Sequence, residues 1–579
     1  MLKDLNDAQI RLTEGSEFYR AQERMRTFLL AVDADQMLYN FRAASGLSAK
    51  GAPPMEGWDS PDSQLRGHTT GHFLSALALC YHACGDEKIK EKAVYMVSAL
   101  SECQQAFSEM PGIQEGFLSG YSEEQFHLLE EYTVYPKIWA PYYTLHKIFA
   151  GLLDCYKYIG DETALEISDR LGGWVYRRLS RLSRKQRSKM WSMYIAGEFG
   201  GMNEVMAKLY QITGKEEYLE CARMFDNDKL FYPLSRGADA LSTMHANQHI
   251  PQILGALEIF RATGEEQYYS IAGQFWSVVT EGHIYAPGGT GEGEMFRRKD
   301  VTGALLTKNT QETCASYNML KLTKELYQFQ PDVRYMDYYE RTLLNHILAT
   351  PEKKETGEST YFFPLAPGSK KEFERENSCC HGTGMENHFK YREAICFRDE
   401  ETLYVNLFIP CTIKSEDVSL TIRKAEESIE KIDICPRGDF RTLAVRKPCW
   451  CREDYRIRVN GREVTCEAGT DGYFRFEEDF TEGVQIELEF PIHLSLIRTK
   501  DRPELAAVQA GPYILAAVSD EEDFLHIPID EERAEEVLVR QERAGLEYRY
   551  GDIRFIPLFQ IDEEAYHVYI NTDPICERQ

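Results

Sequence analysis

The strongest constraint on how this chain folds is a phrase that recurs through its first 350 residues. An aromatic near the end of an apolar run is followed by three residues, a glycine, a charged residue and glutamate. The copies are Tyr81-His-Ala-Cys-Gly85-Asp-Glu87, Tyr156-Lys-Tyr-Ile-Gly160-Asp-Glu162, Tyr210-Gln-Ile-Thr-Gly214-Lys-Glu216 and Phe260-Arg-Ala-Thr-Gly264-Glu-Glu266, with a decayed fifth at Tyr327-Gln-Phe-Gln-Pro331-Asp-Val333. Glycine supplies the left-handed conformation that stops a helix, and acidic residues suit the start of the next. Each copy therefore predicts the tight corner of a helical hairpin. Five corners, plus a helical segment around Glu17–Leu38, predict six helix pairs, which must stack to bury their faces. The intervals between copies (75, 54, 50 and 67 residues) are irregular. Solenoid repeats tend to keep one length, so a closed ring of inner and outer helices is favoured over an extended stack. The connecting loops are long and aromatic-rich, as in Glu130–Tyr142 and Ile284–Lys308.

Near residue 400 the pattern changes to short alternating runs. Tyr455-Arg-Ile-Arg-Val459 followed by Asn460-Gly461 is a hairpin signal. Gln485–Phe490 alternates with period two, and Ala506–Ala516 reads as two strands about Gly511-Pro512. The expected organisation is a helical domain over 1–400, including a polar Cys379-Cys380 loop, and a β-sandwich region over 401–579 of one or two modules. The segment from Glu531 onward is charged and mixed, and is left unplaced.

The formal charge is −27. That disfavours nucleic acid as a partner through long-range repulsion and suits a neutral substrate. No apolar run approaches the ~18–20 residues of a membrane helix, so no membrane partner is expected. The first residues, Met-Leu-Lys-Asp-Leu-Asn-Asp-Ala-Gln, lack the features of a signal peptide, which makes cytoplasmic residence the expectation. Oligomeric state is not readable. Fifteen cysteines cannot all pair internally, and in a reducing compartment most are expected to be buried small hydrophobes.

Some cysteines sit in a different setting. Asn377-Ser-Cys-Cys-His-Gly-Thr-Gly-Met-Glu-Asn387 is polar and glycine-rich. With Glu312 and Cys314, the adjacent Cys379 and Cys380 make a three-sulfur, one-oxygen set that suits tetrahedral zinc. The spacing is not that of two Cys-x2-Cys knuckles, so four unrelated side chains is the competing interpretation. A second glycine-rich segment, Gly288–Phe296, lacks the Lys-Ser/Thr ending of a phosphate loop. It presents Glu292 or Glu294 as an acid/base group, or is a solvated acidic loop. His68, His72, His146, His245 and His249, with Trp58, Trp139 and Tyr142, could form a sugar-binding wall, with packing roles as the alternative.

These motifs resemble glycoside hydrolase families 127 and 146, whose characterised members include zinc-dependent retaining β-L-arabinofuranosidases. The resemblance lies in Leu65-Arg-Gly-His-Thr-Thr-Gly-His-Phe-Leu-Ser75, Ala140-Pro-Tyr-Tyr-Thr-Leu-His-Lys147, Gly200-Gly-Met-Asn-Glu204, Gly293-Glu-Met-Phe296, Glu312–Lys321 and Cys379–His388, the last two looking closer to family 146. It implies an (α/α)6 barrel followed by β-sandwich modules. It implies Zn2+ held by Glu312, Cys314, Cys379 and Cys380, with Cys379 as nucleophile and Glu294 as acid/base. His146 and His245 fall in segments similar to substrate-contacting ones, and His68 and Tyr142 join them as expected substrate-binding residues. His381-Gly382 follow the cysteine pair where family 127 members usually carry prolines, a departure that bears on the sugar subsite. The implied activity is exo-acting, retaining hydrolysis of terminal furanosides from short oligosaccharides or glycosides through a cysteinyl-glycosyl intermediate. Two alternatives stand beside it. One is an (α/α)6-barrel glycosidase or epimerase whose zinc is purely structural; the other is a non-catalytic carbohydrate-binding protein.

Overall fold

A computed structural model describes residues 1–5, 8–374, 376–425, 428–541 and 545–573. Among the described residues, twelve helices of the N-terminal domain form its paired framework, with shorter helices in the connections: α1 (Glu17–Ala31), α2 (His68–Cys84), α3 (Glu87–Glu109), α4 (Pro141–Asp154), α5 (Glu162–Leu179), α6 (Met202–Thr213), α7 (Glu216–Arg223), α8 (Ala246–Thr263), α9 (Glu266–Gly282), α10 (Thr313–Phe329), α11 (Val333–Asn345) and α12 (Cys379–Asn387).

The recurring phrase forms the corners it predicts. Gly85, Gly160, Gly214 and Gly264 all have φ between 69° and 77°. Each donates its N–H to the carbonyl of the aromatic four residues back, at 2.7–3.1 Å. Asp86 and Asp161 then cap α3 and α5 by accepting backbone N–H bonds, and Asp332 caps α11 after the proline corner.

The even-numbered helices form an inner ring in which each packs on the next, and α12 closes it against both α10 and α2. Most of the length of α2, α4, α8, α10 and α12 is buried. The odd-numbered helices lie outside. This is the (α/α)6 barrel. Its sixth pair is assembled from both ends of the domain: the outer helix α1 meets α12 through Phe28 and His381, whose rings lie 6.1 Å apart. Because every corner joins the C-terminus of an inner helix to an outer one, the inner helices run in the same sense, with their N-termini gathered at the end opposite the corners.

Two local expectations are corrected. The Cys379-Cys380 segment is the first turn of α12, not a loop. Ser378 caps it by accepting the His381 N–H at 3.3 Å. Its glycines serve close packing: a Cβ on Gly382 would lie 2.3 Å from the His72 ring of α2. The first residues also depart from the helical assignment. Lys3–Asp4 pairs with Cys396–Arg398, and Gln9–Leu12 with Cys411–Lys414, so the chain begins in the β region.

That region opens with a five-stranded and a seven-stranded sheet. They pack face to face, with Phe474 and Phe490 6.4 Å apart across the interface. Asn460 and Gly461, both at positive φ, turn the expected hairpin. A third sheet follows from Leu494 to Asn571, and the unplaced C-terminal segment supplies several of its strands. One face of this sheet buries Leu505, Ala507 and Ile514 against Tyr285, Ala286 and Leu306 of the barrel. The Tyr569 hydroxyl accepts the Ala286 N–H at 2.7 Å, and Asp501 accepts from Gly303 and Ala304. The sheet thus braces the loop that carries Glu294. No helix among the described residues is long and apolar enough to cross a membrane.

Candidate active site and metal centre

The site lies where the inner-helix N-termini converge. His68 opens α2, Tyr143 is in the first turn of α4, His245 caps α8, Glu312 caps α10 and Cys379 opens α12. Each helix N-terminus carries a partial positive charge, which favours thiolates and carboxylates at this end of the barrel.

Glu312, Cys314, Cys379 and Cys380 come together, all buried, with one donor atom from each lying within 4.8 Å of the others. The Cys379 and Cys380 sulfurs are 4.0 Å apart, and Glu312 Oε1 is 4.0 and 3.9 Å from them. A tetrahedral zinc with ordinary Zn–S bonds sets sulfurs about 3.8 Å apart. The donor set therefore fits such an ion closely. Glu312 Oε2 is buried with no hydrogen-bond partner among the described residues. As protein groups alone, the four acids share little negative charge. Hydrogen bonds from Cys314 and Cys380 hold the Cys379 thiol well below its usual range, against the opposing effect of burial. Burial pushes Glu312, Cys314 and Cys380 well above theirs. A divalent cation relieves that conflict by letting all the donors ionise.

Cys379 also lines an open cavity of about 520 Å3, with Trp58, Trp139, Tyr143, Glu198, His245 and Glu294 among the other lining residues. Glu294 sits at φ 67°, on a turn that carries its side chain into the cavity. Its Oε2 is 3.5 Å from His245 Nε2, and its Oε1 accepts a short bond from the Tyr361 hydroxyl. The same hydroxyl lies 3.6 Å from Cys379 Sγ, so Tyr361 bridges the carboxylate and the thiol. Burial raises the Glu294 carboxyl, but His245 and Tyr361 overcome it and leave it below its ordinary value. Burial alone would lower His245; its bond to Glu294 and the Glu198 and Glu312 charges push it up to about 9. Glu292 is turned to Arg297, 2.7 Å away, and Thr307.

The remaining histidines lie in different layers. His68 is wholly buried, 2.9 Å from the equally buried Asp59, and its charge helps hold Cys379 ionised. His146 lies beneath the site, in a separate pocket with His72, Lys147, Glu204 and Glu386. Burial keeps it well below the usual imidazole range. Tyr142, expected in the sugar-binding wall, is a core residue instead. Its ring packs edge-on against Phe126 and Trp191, and Tyr143 takes the place in the cavity wall. One residue is 100° of helix, enough to turn a side chain from site to core. The residues missed from sequence are Tyr361, Tyr143, Asp59 and Glu198. The only signal for Tyr361 was the aromatic triplet Tyr361-Phe362-Phe363.

The family profile described as β-L-arabinofuranosidase, GH127 catalytic domain, matches residues 9–393, and that of the GH127 middle domain matches residues 402–492. A solved GH127 β-arabinofuranosidase is similar over 99% of this chain and 98% of its own, with a TM-score of 0.75 at 18% identity. A GH127 β-L-arabinofuranosidase from Geobacillus stearothermophilus T6 is similar over 97% and 99%, with a TM-score of 0.73 at 17% identity. No curated protein matches the sequence. With the catalytic-domain profile covering the whole barrel and the middle-domain profile the sandwich after it, the chain belongs to glycoside hydrolase family 127, the β-L-arabinofuranosidase family, and is a glycoside hydrolase.

Proposed function

We propose that the protein is a retaining exo-β-L-arabinofuranosidase acting on short oligosaccharides or glycosides, with Cys379 as nucleophile, Glu294 as acid/base and Zn2+ bound by Glu312, Cys314, Cys379 and Cys380. The observation that carries this is the Tyr361 bridge, which sets a thiol of depressed pKa and a paired carboxylate into one cavity. When bound, the zinc ion holds the cysteines as thiolates at neutral pH, since a free thiol titrates near roughly 8.5.

The steps balance within the chain's own groups. Cys379 Sγ attacks the anomeric carbon, forming a C–S bond as the C–O bond to the leaving group breaks. The proton that the Glu294–His245 pair holds passes from His245 through the Glu294 carboxylate to the departing oxygen. Water then enters, Glu294 takes its proton, and the new C–O bond releases the sugar and returns the thiolate. Two inversions give net retention. In the free enzyme the Glu294–His245 pair holds one proton below about pH 9, so the proton is stored at the site before substrate arrives. His68, held by Asp59, supports the charge on Cys379. A cytoplasmic protein of this kind would take imported fragments rather than polymer.

The test is Cys379→Ser. It is expected to abolish turnover of a β-L-arabinofuranoside and to weaken zinc retention. Substantial turnover with metal kept would favour a carboxylate mechanism with structural zinc. Sugar binding without release of product in the wild type would leave only a binding role.

A further inference from the structure

One helical turn further into the barrel than the cavity wall lies a buried lysine that the mechanism does not use. Lys147 follows Tyr143 by four residues on α4, so the two side chains share one face of the helix. The Lys147 ammonium lies 5.0 Å from the centroid of the Tyr143 ring. That ring belongs to the packed cluster that also contains Cys314, Cys379 and Cys380. The α2 helix holds this turn of α4 in place, since a Cβ on Gly71 would lie 2.3 Å from the Lys147 carbonyl. Lys147 is buried, and among the described residues its ammonium makes no hydrogen bond and no ion pair.

The other charged groups of this layer are already engaged. Glu204 binds Lys208 at 2.5 Å and Lys321 at 3.1 Å. Asp154 accepts from the Ser75 hydroxyl at 2.7 Å, and burial raises its carboxyl. Glu386 accepts from His72 at 2.5 Å and from the Tyr317 hydroxyl. Burial keeps His72 and His146 below the usual imidazole range, so neither adds positive charge near neutrality. Among the residues lining the cavity and the pocket beneath it, Lys147 is thus the one cation not in contact with a carboxylate. Burial pulls its ammonium below the usual value, while the charges of Glu386, Cys314 and Cys379 act the other way. Above it, Zn2+ with three thiolates and a carboxylate has negative charge in excess. Buried charge left uncompensated is costly.

We propose that Lys147 is a positioning residue for the nucleophile: from beneath the metal centre its positive charge offsets the excess negative charge of the thiolates, which helps retain the zinc ion and keeps the sulfurs ionised. It acts through its field across the Tyr143 ring, in an interior where a unit charge is poorly screened. Glu386, the nearest opposing influence on the lysine, works against it. The inference rests on the donor set of the proposed mechanism.

The experiment measures zinc affinity by competition with a chromophoric chelator, in wild type, Lys147→Met, Lys147→Arg and Glu386→Gln. Lys147→Met is expected to weaken zinc binding about tenfold, and Lys147→Arg, which keeps the charge, to restore most of it. Glu386→Gln should bind zinc at least as tightly as wild type, whereas a lysine with only a packing role would make all three variants weaker. Wild-type affinity in Lys147→Met, or equal losses in Lys147→Met and Lys147→Arg, overturns the proposal. Should neither lysine variant fold, Glu386→Gln decides alone, and any loss of affinity there overturns it. Should the wild type bind no zinc, the proposed donor set fails, and the lysine is read from cysteine chemistry on that protein. Iodoacetate and iodoacetamide need the same thiolate but differ in charge. Their rate ratio at Cys379 should then fall about threefold in Lys147→Met and not in Lys147→Arg. An unchanged ratio overturns the proposal.

Discussion

Tyr361→Phe removes one oxygen atom from the centre of the site and leaves the ring in place. The ring's contacts with Trp58 and with Phe362, 6.0 and 4.8 Å between centroids, do not need the hydroxyl, so the cavity wall should stand. What is lost is a bond donated to the Glu294 carboxylate and a contact at 3.6 Å with Cys379 Sγ. A hydrogen bond to a charged group contributes about 1.5–3 kcal/mol, which corresponds to about a 10- to 150-fold fall in kcat/KM. The hydroxyl is also among the groups that lower Glu294 and Cys379. Without it both should titrate at higher pH, and the pH profile should move in the alkaline direction. Steady-state kinetics on an aryl furanoside from pH 4 to 10 reads both effects. A kcat/KM within twofold of wild type, with an unmoved profile, would refute the bridging role.

Other consequences are as specific. The Glu294–His245 pair loses its proton as pH rises through about 9, so kcat/KM should fall there, and His245→Asn should move that fall at least one pH unit lower; an unchanged alkaline limb contradicts the pairing. Because the His245 value is raised on folding, its contribution to stability is complete below about pH 6.5 and lost as pH passes about 9. Glu294→Gln should slow substrates with poor leaving groups most and activated aryl glycosides least, and equal losses on both would reject the acid role. Gly382→Ala forces a methyl against His72 and should destabilise the fold by about 1–3 kcal/mol in urea titration; wild-type stability would mean α12 does not pack as described. Asp59→Asn breaks a fully buried pair with His68 and should cost about 3–5 kcal/mol, which thermal denaturation reads as a clear drop in Tm.

How much was legible in the sequence follows from the range of the interactions involved. The corners at Gly85, Gly160, Gly214 and Gly264 depend on hydrogen bonds four residues long, so a short phrase carries them. The Asn460-Gly461 hairpin was readable for the same reason. The closing pair of the ring was half hidden. Its inner helix is nine residues with two glycines, a composition that reads as loop until His72 and Ser359 are seen pressed against it. The strands at Lys3–Asp4 and Gln9–Leu12 are too short to announce partners nearly 400 residues away. At the site, the four metal donors could be proposed as a set from their chemistry, because three sulfurs and a carboxylate have few other uses together. Tyr142 and Tyr143 could not be told apart without the barrel axis to fix the phase of α4. The ordering of Glu292 and Glu294 likewise depends on Arg297, which draws one of them away.

The central claim is that Cys379 carries the sugar between the two halves of the reaction. It is tested most directly by trapping the protein with a reactive β-L-arabinofuranoside analogue and mapping the adduct by peptide mass spectrometry. One sugar per chain, attached to Cys379 and absent from Cys379→Ser, is the predicted result. An adduct on a carboxylate, or an active wild type that releases the inverted anomer and traps nothing, would contradict it.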